Sequence, residues 1–193
     1  MTKIVLETDG IIRQLYRKGG DTIRKDILAG LRAGKNVTSQ RARIFWPVMM
    51  ENLSSDYLAS DGPTFEENAV YSAVRLYAIH QQGNDELVYA SGKEEGNAFF
   101  EALKKVRISK QQNNIDTKSL DRRIQLLLAT TNFGSLVNSL VQIEKIGKAS
   151  GFNKVDYSRL AQDLLYFQYS YENANKVLLK WGREYFSYSK NIK

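Results

Sequence analysis

The side chains best placed to do chemistry are cations. Arg32, Lys35, Arg41 and Arg43 cluster around one expected helix end and the loop after it. Lys104, Lys105, Arg107 and Lys110 form a second group, and Arg122 and Arg123 a third. Lys176, Lys180 and Arg183 follow at i, i+4 and i+7, which places them on one helix face, away from Trp181. Such stripes are suited to neutralising successive phosphates of a nucleic-acid backbone, with strong salt dependence and no base reading. The plain alternative is a solvated surface.

Residues for bond-breaking chemistry are scarce. The 193-residue chain has no cysteine and one histidine, so thiol nucleophiles and cysteine-ligated metals are excluded, and a histidine-based triad has little to draw on. His80 would need an acid one helical turn away, but Leu76 and Asn84 hold those positions, so a structural role is expected. Glu66-Glu67 and Glu94-Glu95 are neighbours on helices, pointing about 100° apart, and cannot share a proton. No phosphate-binding glycine loop, HExxH or GxSxG is present. The expectation is a protein without catalytic residues, metal or cofactor. No apolar run approaches the roughly 20 residues that span a bilayer, and no secretory signal is visible, so a cytoplasmic protein without membrane contact is expected.

Charge is segregated along the chain. Net +7 resolves into +6 over residues 1–45, −8 over 46–103 and +9 over 104–193. A basic–acidic–basic order points to separate interaction surfaces.

The elements that must carry these residues read as all-α, a compact bundle of about seven to nine helices. Residues 1–193 form a single domain, with subdomains of about 1–110 and 111–193 as an alternative. Leu120, Ile124, Leu127 and Leu128 mark one helix. Leu136, Val137, Leu140, Val141, Ile143 and Ile146 mark the next, after Asn132-Phe133-Gly134. Asp156 caps a helix over Tyr157–Phe167, and the last runs from about Glu172 to Tyr188. Earlier, Asp21 caps a helix through Leu31, after a turn at Gly19-Gly20. Thr64 and Glu67 form a capping box, and another helix spans Lys93–Arg107. Asn84–Ala90 and Lys110–Thr117 are expected as loops, with Asp116 as an N-cap. Nine of the 21 aromatic residues lie between Tyr157 and Tyr188; their spacing favours core packing over base stacking.

In this order the local patterns resemble the CasB family, the small subunit of the type I-E CRISPR complex Cascade. The carriers are Leu28-Ala29-Gly30-Leu31-Arg32-Ala33-Gly34-Lys35 and Phe45-Trp46-Pro47, then Tyr77-Ala78-Ile79-His80-Gln81-Gln82-Gly83. Gly96-Asn97-Ala98-Phe99-Phe100-Glu101-Ala102-Leu103 and Asp121-Arg122-Arg123-Ile124-Gln125-Leu126-Leu127 follow. Asp156–Leu164 and Trp181-Gly182-Arg183-Glu184-Tyr185-Phe186 complete the set, which covers about residues 22–188. The resemblance implies an all-α, non-catalytic subunit present in two copies beside the guide RNA–target DNA duplex. There it helps stabilise the displaced strand of the R-loop, and a recruited helicase-nuclease does the cutting. It implies nucleic-acid contacts at Arg32, Arg123, Lys176, Lys180 and Arg183. The implied partners are other Cascade subunits, guide RNA, target DNA and a second copy of the chain. The rival reading is a protein-interaction adaptor that touches no nucleic acid.

Overall fold

The computed structural model describes residues 2–16, 24–58 and 61–187. Asp21, Gly19-Gly20 and Tyr188 lie outside them. Among the described residues there are nine α-helices and no strand: α1 (Lys3–Leu15), α2 (Lys25–Ala33), α3 (Trp46–Asn52), α4 (Phe65–Gln81), α5 (Phe99–Gln112), α6 (Lys118–Leu128), α7 (Phe133–Ala149), α8 (Tyr157–Tyr169) and α9 (Tyr171–Phe186). A compact all-α bundle was expected and is found.

Helix α4 occupies the centre. It starts at the expected capping box, in which Thr64 Oγ1 accepts from Glu67 N–H and Glu67 accepts from Thr64 N–H. From Ala69 to Gln81 every residue is buried, so only the first turn of the helix reaches solvent. Helices α1, α2, α7 and α8 enclose it. Helix α8 lies antiparallel on α4. Tyr157, at its start, meets His80, and Gln168, near its end, donates to the Phe65 carbonyl at 2.9 Å.

The Asp156 cap is as expected and holds more than its own helix. Its carboxylate accepts from Arg159 N–H at 3.0 Å, from Ser158 Oγ and from Gly92 N–H at 2.7 Å. It thereby ties α8 to the connection between α4 and α5. That connection is irregular, as expected over Asn84–Ala90, and is pinned by Gln81, which donates to the Asn84 and Glu86 carbonyls and accepts from Val88 N–H. Gly96 is required there, because a Cβ would stand 1.8 Å from the Ala90 carbonyl oxygen.

Three features depart from expectation. Helix α1 had no expected counterpart: Glu7-Thr8-Asp9-Gly10 is a poor helix-forming run, and burial of Ile4, Val5, Ile11, Ile12 and Leu15 sustains the helix instead. The helix expected over Lys93–Arg107 is α5, which begins only at Phe99; a short 3₁₀ turn, Gly92–Glu94, precedes it. It also continues to Gln112, into the segment expected as a loop. It stops there because Asn114 adopts a left-handed φ of 56° and Ile115 N–H returns to the Lys110 carbonyl. Asp116, expected as the N-cap of α6, falls one residue too early: Thr117 occupies the cap position without a side-chain cap bond, and Asp116 accepts from Lys118 N–H at 2.9 Å in the turn that leads in.

Asp156→Ala should destabilise the protein by about 3 kcal/mol, combining a lost cap with stranded N–H donors. Thermal denaturation followed by circular dichroism should then show a melting temperature lower by about 6–12 °C.

Candidate nucleic-acid interface

A groove of about 730 Å³ runs between α2, α4 and the C-terminal part of α7. Its walls are Ala29, Ala33, Ile79 and Val141; its charged residues are Arg32, Arg75, Lys145 and Lys148. None of the four forms an ion pair among the described residues. Three of them bond to backbone carbonyls instead. Arg32 Nη1 donates to Ala78 at 3.2 Å and Arg75 Nη1 to Lys35 at 3.0 Å. Lys148 Nζ donates to Ile79 at 2.9 Å and to Gln82, completing the C-terminal turn of α4. Arg75 is only 8% exposed, and its Nε has no hydrogen-bond partner among the described residues.

This arrangement strains the charges. Burial lowers the pKa of Arg32, Arg75 and Lys148, and the nearby Arg32 lowers Lys148 further. Partly desolvated cations that repel one another and lack carboxylates would gain from an anion seated among them.

Helix α7 ends one residue after Lys148. Gly151 adopts φ 77°, Phe152 N–H returns to the Gly147 carbonyl and Gly151 N–H to Lys148. The Phe152 ring folds back over Gly147, where a Cβ would meet it at 2.3 Å. From there it packs edge-on against His80 at 5.5 Å.

One acid does lie beneath the groove. Glu144, on α7 one turn before Lys148, is fully buried and accepts from Tyr157 Oη at 3.0 Å. Tyr157 Oη stands 2.9 Å from His80 Nδ1, and His80 and Glu144 are 3.9 Å apart. Burial pushes the Glu144 carboxyl up to about 8 and the His80 imidazole down to about 4. Near neutral pH both are uncharged, so this is a hydrogen-bonded chain and not an ion pair, and it does not cancel the groove's positive charge. His80 is structural, as expected, but its acid partner arrives from α7 and not from its own helix.

The fold matches a known family along most of its length. The model of the CRISPR-associated protein Cse2 family matches residues 27–186. The chain belongs to this family. The fold is similar to that of a Cse2-family CRISPR-associated protein from Thermus thermophilus, at TM-score 0.66 and 22% identity over 97% of this chain and 100% of that one. It is also similar to CasB from Thermobifida fusca, at TM-score 0.64 and 21% identity over 96% and 98%. CasB from M. ruber gives TM-score 0.64 and 18% identity over 93% and 92%. No curated protein matches the sequence.

On this Cse2-family fold the expected cations fall into two groups. Arg32 lines the groove, and Lys35 borders it through the carbonyl that receives Arg75. Arg41 and Arg43 are exposed on the 3₁₀ segment Gln40–Phe45; Arg41 lines a neighbouring cleft with Asp26, and Arg43 lies over the Trp46 ring at 5.7 Å. The remainder sit on α5, α6 and α9. Several of these already have partners. Arg107 grips Asp121 with two bonds, at 2.8 and 3.3 Å, beneath Tyr185 and Phe186. Lys176 pairs with Glu172 at 2.6 Å. Lys104 donates to Ser187 and Lys105 to Asn97. Lys180 does not face away from Trp181. Both bond Asp163, Lys180 at 2.7 Å to each oxygen and Trp181 Nε1 at 2.8 Å, and Glu184 lies 3.8 Å beyond. Arg122, Arg123 and Arg183 are not buried by the fold.

Arg75, Lys145 and Lys148 lie outside the expected set. A signal for Arg75 existed: it is one of only two cations in the acidic stretch 46–103, inside an otherwise apolar helix. A lone arginine at such a position needs a reason.

Glu144 fixes a pH dependence. In the fold it keeps a proton that an ordinary carboxyl, at 4.5, releases, so its contribution is complete below about 4.5 and declines as pH rises toward 8. His80, depressed from 6.5, adds the opposite slope, which ends above pH 6.5. Glu144→Gln should therefore gain on the wild type by about 1.4 kcal/mol per pH unit between pH 6.5 and 8. Urea titrations at several pH values read this directly; a constant difference would contradict it.

Proposed function

We propose that the chain is a non-catalytic, nucleic-acid-binding subunit of a Cascade complex. In this reading it helps hold the guide RNA–target DNA R-loop and its displaced strand during antiviral defence in the cytoplasm. Its partners are the other Cascade subunits, guide RNA, target DNA and a second copy of itself. The observation that carries the reading is the groove in which Arg32, Arg75, Lys145 and Lys148 gather with no ion-paired acid among the described residues. R-loop formation is nearly balanced in energy, so a few backbone contacts can tip it. Contacts of this kind need fixed cations and no base recognition, and hydrogen bonds to carbonyls hold three of the four in place. Arg122, Arg123 and Arg183, at the α6–α9 side, are a second region able to follow a strand.

The paired Arg32→Ala and Lys145→Ala variant should bind single-stranded DNA more weakly. The slope of log affinity against log salt should become shallower by about 1.4, for two lost phosphate contacts at about 0.7 each. In the reconstituted complex the same variant should slow R-loop formation, and the melting temperature should stay near that of the wild type. Unchanged DNA binding and R-loop formation, with assembly intact, would favour the adaptor reading.

A further inference from the structure

At the other end of α4 lies a surface of opposite character. Phe65, Tyr169 and Tyr166 stand in a row, with ring centres 6.2 and 6.0 Å apart. Their exposures are 48%, 48% and 39%, high for aromatic rings that touch one another. The row is built firmly. Gln168 donates to the Phe65 and Leu164 carbonyls, locking the end of α8 to the start of α4, and Gln162 donates to Tyr166 Oη at 3.2 Å. Glu66 is set against the row and accepts from Tyr169 Oη at 3.4 Å.

We propose that Phe65, Tyr166, Tyr169 and Glu66 form a docking surface for an arginine side chain carried by a different protein. Aromatic faces attract a guanidinium, and the planar cation can stack on a ring while its N–H groups reach a carboxylate. Exposed tyrosines held in fixed rotamers lose little entropy on binding, which is why Tyr and Arg recur at interface centres. Charge decides between a protein and a nucleic acid. The charged side chain bonded to the row is the Glu66 carboxylate, and Glu67 follows in the same turn. Phosphates would be repelled from this surface; a basic protein segment would be drawn to it. The inference does not depend on the groove, which lies at the opposite end of α4.

The probe is a capped peptide of alternating leucine and arginine, with lysine and citrulline counterparts, titrated into the full-length isotope-labelled protein. Amide shifts should concentrate at the start of α4 and the end of α8, and the arginine peptide should bind more tightly than either counterpart. Tyr169→Leu, which keeps an apolar side chain without a π face, should weaken the arginine peptide by about tenfold. Glu66→Gln should also weaken it while leaving the melting temperature unchanged. Equal binding of all three peptides, or no effect of either variant, would overturn the proposal. So would weaker binding of an oligothymidylate to Tyr169→Leu, which would make the row a platform for bases. Loss of self-association in Tyr169→Leu would also overturn it, placing a second copy there.

Discussion

Burial of α4 from Ala69 to Gln81 is the constraint from which the rest of the structure follows. A segment buried on every side still carries polar side chains, and three of them reach other segments, whereas the Tyr71 and Tyr77 hydroxyls have no hydrogen-bond partner among the described residues. His80 finds Tyr157 on α8, Gln81 finds the backbone of the following connection, and Arg75 finds the Lys35 carbonyl after α2. Those three bonds decide which segments can lie against α4 and in what register. The carbonyls at its C-terminal end are met by Lys148 of α7, a cation brought there by the packing of α7 on α4. Charged groups thus enter the interior for structural reasons, and the groove is where they come out to solvent.

The same helix separates two chemistries along its length. Near its end lie cations that bond to neutral carbonyls and so keep their full charge for an outside anion. Near its start lie aromatic rings and carboxylates. In the α5–α6–α9 region two basic residues behave differently: Arg107 and Lys180 are satisfied by Asp121 and Asp163 and act as fasteners between helices. A count of lysine and arginine cannot distinguish these cases. What matters is whether the acceptor is ionised, because an ionised acceptor cancels the charge and a carbonyl does not.

Much of this was legible in the residues. The capping box at Thr64, the Asp156 cap and the apolar stripes of α6 and α7 are local signals, and local signals fix local structure. Helix α1 was not legible, because its stability comes from burial against elements distant in sequence. The groove was legible only at Arg32. Arg75, Lys145 and Lys148 come from two further helices, and no spacing rule links positions 75 and 148; the packing of α7 on α4 does. The aromatic run after Tyr157 divides in a way that spacing did not resolve: Tyr157, Phe167, Trp181 and Tyr185 are core, whereas Tyr166, Tyr169, Tyr171 and Phe186 are exposed.

The Arg107–Asp121 grip fixes α5 and α6 to each other, and Tyr185 Oη joins it at 2.7 Å from the same carboxylate. Residues 113–116, between those helices, are exposed. With both anchor points set by the grip, the length of this loop has little bearing on the helices it joins, since each doubling of a flexible loop costs only about 0.6 kcal/mol. It is the natural insertion point of the molecule, a place where a fluorophore, an epitope or a purification handle could be carried without disturbing α4, the groove or the aromatic row.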